Sequence, residues 1–80
     1  MILRPGMLVK SKAGRDKDHV YIIIRIENEY AYLADGDTRP IRRMKRKNSR
    51  HLQPILKVMA DGPLDDQAVR EEIRSYIQED

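Results

Sequence analysis

Seven of the twelve residues from Arg39 to Arg50 are cationic and none is acidic. They are Arg39, Arg42, Arg43, Lys45, Arg46, Lys47 and Arg50. A second group, Lys10, Lys12, Arg15 and Lys17, is set around Gly14 in and just before the segment SKAGRDKD. Lysine and arginine placed beside phosphates release condensed counterions, which supplies most sequence-independent affinity for nucleic acid. Seven like charges also repel one another in a folded chain. Their retention with no acid among them points to a polyanion at this surface; the competing reading is a merely solvated face.

The other candidates carry less. Tyr21, Tyr30, Tyr32 and Tyr76 are the only aromatics. Tyrosine rings stack on unpaired bases, but they are also ordinary packing residues with a wet hydroxyl. Tyr30 and Tyr32 alternate onto one strand face, so that pair alone makes a joint platform. Packing is the expected role, and Tyr76 is expected in the core. His19 and His51 lie far apart, with no cysteine or HxxxH spacing to complete a metal site. Asp16, Asp18, Asp35 and Asp37 raise a paired-carboxylate or cation site. Asp35-Gly36-Asp37 lacks the further ligands of a calcium loop and reads as turn chemistry. No phosphate-cradling loop, nucleophile elbow or dinucleotide fingerprint occurs. The residues point away from an enzyme and imply no cofactor.

Strands must position the basic groups. Met7, Val9 and Ser11 alternate with Leu8, Lys10 and Lys12 in the period-2 pattern of a half-buried strand. Ala13 to Asp18 is a polar loop, where Gly14 serves φ > 0. Val20 to Glu27 is rich in isoleucine and predicts a second strand. Asn28-Glu29 then turns into a third, Tyr30 to Ala34, and Asp35-Gly36-Asp37 predicts the next turn. Pro40 marks an edge or a strand start. Ile41 and Met44 are expected to pin one short strand while the arginines and lysines face water. His51 to Val58 reads as the last strand, with Leu52 and Ile55 in the core. Short strands with turns between them predict a small barrel over residues 1–58.

The tail differs. Residues 59–64, with Asp61-Gly62-Pro63, read as a linker, and 65–78 as an amphipathic helix capped by Asp65 or Asp66. Val69, Ile73, Tyr76 and Ile77 form its apolar stripe, expected to pack on the barrel, with a partner protein as the alternative. Charge divides in the same place. Residues 1–51 carry thirteen Lys/Arg against six Asp/Glu, a balance of +7, and residues 52–80 carry three against seven, a balance of −4. This asymmetry predicts a basic binding body with an acidic tail.

Eighty residues without cysteine make one small domain that neither disulfides nor thiolate-bound metal can staple. That usage suits a reducing cytoplasm. The longest apolar run, Val20 to Ile24, is too short to cross a bilayer, and MILRPGM lacks the features of a secretory signal. A cytoplasmic chain, monomeric when free, is expected.

Gly6 to Ile26, GMLVKSKAGRDKDHVYIIIRI, resembles a KOW motif: Gly6, alternation through Val9, Gly14 and Lys17 in a basic loop, then a hydrophobic strand. SKAGRDK, LADGDTRPI and KRKNSRHLQ, in this order, resemble a bacterial KOW-domain family of small RNA-binding proteins. That family is similar to the large-subunit ribosomal proteins of the fourteen-e group. The resemblance covers roughly residues 4–56. It implies an SH3-like barrel whose loops touch RNA, usually ribosomal RNA, with ribosomal proteins as further partners. Gly14 would bring the loop backbone to a phosphate, with Arg15 and Lys17 beside it. The family pattern has glycine where this chain has Asp18, and again where it has Tyr21. The resulting expectation is a mainly β RNA-binding protein that clamps phosphates; the alternative is a protein-interaction adaptor using the barrel and the acidic helix. Charge alone does not separate RNA from DNA.

Overall fold

The run Val20–Ile24 is apolar at every position, and a strand of that kind needs both faces covered. The fold supplies both covers. A computed structural model of the chain describes residues 3–59 and 64–78, and their side chains except those of 56–59. It contains strands β1 (Met7–Ser11), β2 (Val20–Glu27), β3 (Tyr30–Ala34), β4 (Lys45–Asn48) and β5 (Leu52–Met59), then helix α1 (Asp66–Gln78). Short 3-10 turns at Ile41–Arg43 and Ser49–His51 flank β4. All pairings are antiparallel, in the order β4-β3-β2-β1-β5, and the sheet curls into a half-barrel. Asp61-Gly62-Pro63, the centre of the expected linker, lies outside the described residues.

Inside the half-barrel, Tyr21 and Ile23 of β2 meet Val9, Ala31, Leu33 and Leu52. On the outer face, Val20 and Ile22 join Leu8 and Ala34 beneath Val69 of α1. Register shifts at Ile24, between the pairs Ile23↔Leu33 and Arg25↔Tyr32. A bulge of this kind bends the strand and increases its twist, which helps a sheet this short to curl.

Helix α1 docks through polar contacts at its N-terminal end and an apolar stripe. Asp65 caps it, accepting from the Ala68 N–H at 2.8 Å. The Asp66 carboxylate accepts from the Ile41 N–H at 2.8 Å, and Arg70 Nη1 donates to the Gly36 carbonyl at 2.6 Å. Val69 is fully buried, Ile73 and Tyr76 pack against the same outer cluster, and Ile77 is 57% exposed. The stripe therefore packs on its own sheet, as expected, with Ile77 outside it. Gly36 makes the approach possible. It sits at φ +78, and a Cβ there would collide with the Asp66 carbonyl and lie 2.7 Å from Arg70 Cγ.

Three local expectations are corrected. Pro40 starts no strand; it precedes a 3-10 turn, with extended backbone at φ −67. Ile41 and Met44 lie outside β4 and pack under the helix with the outer cluster, because that face needs apolar cover near Ala34. His51 belongs to the second 3-10 turn, so β5 begins at Leu52.

Candidate nucleic-acid interface

Strand β4 is an edge strand whose four residues, KRKN, alternate across the sheet. Lys45 stands opposite Leu33 and Lys47 opposite Ala31, both inner-face residues, whereas Arg46 stands opposite Tyr32 on the outer face. Directly paired residues share a face, so the two lysines turn inward. This corrects the expectation that all cations of the segment face water. Their counter-charge comes from the β1–β2 loop. Asp16 Oδ1 is 2.9 Å from Lys47 Nζ, and Oδ2 is 3.2 Å from Lys45 Nζ.

Asp16 joins more than the lysines. The Tyr21 hydroxyl donates to it at 2.8 Å, and Ser11 Oγ lies 3.0 Å away. Lys47 also donates to the Ala13 carbonyl at 3.0 Å. One carboxylate therefore ties β1, β2, the loop and β4 together across the open side of the half-barrel. Burial alone would raise the Asp16 carboxyl, but hydrogen bonds from Lys47, Tyr21, Ser11 and Lys45 outweigh it. They hold the group well below the usual carboxylate range. Burial, and then the bond to Asp16, push the Tyr21 phenol well above its usual range.

The loop that delivers Asp16 has a fixed shape. Gly14 sits at φ +89 and Asp18 at φ +72, and the Asp18 N–H donates to the Ser11 carbonyl at 2.8 Å. Lys12 N–H donates to the His51 carbonyl at 2.8 Å, which sets the first basic cluster against the second. Lys12, Arg15 and Lys17 are exposed. Lys10 is on the outer face, paired with Val20 and Gln53 and half-buried, apart from the Asp16 group.

A second buried carboxylate shapes the turn before Arg39. Asp35 accepts from the N–H groups of Asp37 and Arg39, from the Thr38 hydroxyl, and sits 2.8 Å from His19 Nε2. Burial opposes ionisation, yet these bonds prevail and lower its pKa to about 2. The His19 ring leans on Tyr21, centroids 4.6 Å apart. His51 is far from this group and accepts from Arg50 Nε at 3.4 Å. Among the described residues every buried side-chain nitrogen or oxygen has a partner, and no three His, Cys, Asp or Glu groups stand close enough to hold a metal. Both carboxylates are fully engaged in holding loops.

The cations left facing water are Arg39, Arg42, Arg43, Arg46 and Arg50, none ion-paired among the described residues. Arg42 and Arg43 project from the 3-10 turn that leads into β4. Arg50 borders a cleft of about 370 Å3 whose floor includes Ile26, Ala31 and Leu52. Of the tyrosines, Tyr21 is core and Tyr76, on α1, packs against the outer cluster, while Tyr30 and Tyr32 share the outer face.

Two features escape a reading by composition. Asp16 looks like one acid among several in its loop. The signal is that Lys45 and Lys47, two apart, share one face and Arg46 the other, so the three cannot all face the same way. Arg25 also goes unnoticed, although a two-residue turn at Asn28-Glu29 pairs Glu27 with Tyr30 and therefore Arg25 with Tyr32. A scan against protein-family models and a search of curated proteins found no match to this chain.

Proposed function

We propose that this chain is an RNA-binding module on an SH3-like barrel of the KOW type, and that it holds RNA by its phosphates. One observation carries the reading: five arginines, Arg39, Arg42, Arg43, Arg46 and Arg50, are exposed and without an acidic partner among the described residues, while Asp16 pairs with the two lysines between them. A fold that pairs the lysines it must bury and leaves the arginines open keeps planar, five-donor groups suited to phosphate. Lys12, Arg15 and Lys17 extend the surface, and Lys10 lies at its margin. Lys45 and Lys47 belong to the scaffold first.

The antiparallel meander joined from β1 to β5 supports the KOW reading. So does Asp18, whose φ of +72 is the backbone geometry of the glycine that the family pattern has there. The choice of RNA over DNA, and of ribosomal RNA with neighbouring ribosomal proteins, rests on the resemblance alone. The adaptor reading keeps little of its contact stripe, since Val69, Ile73 and Tyr76 lie against the sheet. No helix among the described residues is long and apolar enough to cross a membrane.

Salt titration of binding to a structured RNA tests the mechanism. Three to five phosphate contacts give a log–log slope of about −2 to −4. Reversing Arg42, Arg43 and Arg46 to glutamate nearly abolishes binding while the circular dichroism spectrum persists. Binding that barely responds to salt, or that survives the reversal, overturns the phosphate clamp.

A further inference from the structure

The outer face of the sheet is covered by α1 where Leu8, Val20, Ile22 and Ala34 lie. Farther along the strands it carries alternating planar groups. Arg25 of β2 and Arg46 of β4 both stand opposite Tyr32 of β3, and Tyr30 sits one pleat farther on. The Arg25 guanidinium lies over the Tyr32 ring, 4.2 Å from its centroid, and that of Arg46 lies over Tyr30 at 4.7 Å. Both arginines are exposed and both tyrosines half-buried. Arg25 also meets the exposed Glu27 at 3.1 Å, whereas Arg46 has no acidic partner among the described residues.

We propose that this Arg25–Tyr32–Arg46–Tyr30 strip is a stacking platform for unpaired bases, so that the RNA held here is a single-stranded segment or loop. The proposal rests on the phosphate reading above and names the form of RNA that it takes. Every base has a π-face, and both phenol rings and guanidinium planes stack on it. Spacing selects the form. Residues two apart in a strand are about 7 Å apart, roughly twice the 3.4 Å step along one strand of a duplex. Tyr30 and Tyr32 therefore suit bases drawn out of a continuous stack, and a duplex hides the base faces that the rings need. Each ring is already held by an arginine, so little side-chain freedom remains to be lost on binding. Arg42 and Arg43, exposed in the 3-10 turn that leads into β4, are cations close by in the chain for the adjoining phosphates.

The test compares a twelve-nucleotide oligouridylate with a twelve-base-pair RNA duplex, by anisotropy and by tyrosine emission, since the chain has no tryptophan. The intact protein binds the single strand with quenching of tyrosine emission. Replacing both rings, Tyr30→Val with Tyr32→Val, weakens single-strand binding about tenfold or more and leaves duplex binding within about twofold, as phosphate contacts alone require. Tyr30→Phe with Tyr32→Phe keeps the stack and keeps single-strand affinity, which separates lost stacking from lost folding. Equal weakening for both probes by the valine pair, or none for either, overturns the platform and leaves the phosphate clamp standing. Failure of the intact protein to bind either probe overturns the phosphate reading itself, and the platform with it.

Discussion

Replacing Asp16 by asparagine removes one negative charge from the meeting point of four side chains and leaves two lysines facing a neutral amide. Asp16 and Lys47 are 13% and 12% exposed, and Lys45 is 26% exposed. Removing one partner of a buried ion pair costs about 3–5 kcal/mol. Lys45 can swing toward water, which sets the expected loss near the lower end, about 3 kcal/mol. A domain of 80 residues has about 4–12 kcal/mol of stability in total, so at least a quarter of it disappears. The melting temperature falls by about 12–24 °C. Urea unfolding at pH 7, monitored by far-ultraviolet circular dichroism, measures the loss. Lys47→Met tests the same contact from the other side, and the double variant loses less than the two single losses combined, because both act on one network. The pH dependence is set by the direction of the shift. Asp16 is held below its unfolded value of 3.8, so its contribution is full above that value and fades as pH falls toward the folded one. The gap between parent and variant therefore narrows below about pH 4. A variant that unfolds within about 0.5 kcal/mol of the parent at pH 7 would refute the stitch and return Lys45 and Lys47 to the surface available for phosphate.

Gly14→Val lowers stability in a thermal melt by about 1–3 kcal/mol; Gly14 is at φ +89, and a Cβ there makes ordinary van der Waals contact, 3.5 Å from Asp16 Oδ1 and from Lys47 Nζ, so backbone strain is the main cost. Gly36→Ala loses about 2–5 kcal/mol and, in hydrogen exchange, loses protection at the Val69 amide first, because a Cβ there pushes the first turn of α1 off the sheet. Asp35→Asn costs about 2 kcal/mol at pH 7 in denaturant melts, from a carboxyl lowered from 3.8 to about 2. That penalty fades below about pH 4, whereas a penalty constant down to pH 2 would mean that charge plays no part there.

Two of the strands are readable from the sequence. Val20–Glu27 and Tyr30–Ala34 match the pattern residue for residue, with the turn at Asn28-Glu29 between them. Both strands carry strong β-formers, and a two-residue turn leaves no choice of register. The helix stripe is equally plain, and the apolar run Val20–Ile24 of β2 requires something on its outer face. Pro40 and its neighbours depart from expectation because a lone proline fixes φ and removes a donor, which suits a strand start and a 3-10 turn alike. Ile41 and Met44 pack against the outer cluster that also holds Val69 of α1, a grouping that no local pattern carries.

Local pattern settles β2, β3, the turn between them and the helix, because side-chain periodicity and turn chemistry act over a few residues. It also settles that this surface is basic. Only the tertiary fold decides which cations remain available. Lys47 meets Asp16 across 31 residues of chain, and Asp66 meets Ile41 across 25. Seven cations in close succession look equivalent in the sequence; the alternation of β4 turns two inward to a carboxylate delivered by a distant loop, and leaves Arg46 outside upon the ring of Tyr30. The difference arises because a charge is judged by what surrounds it in space, where low exposure strengthens each pairing and penalises each unpaired group.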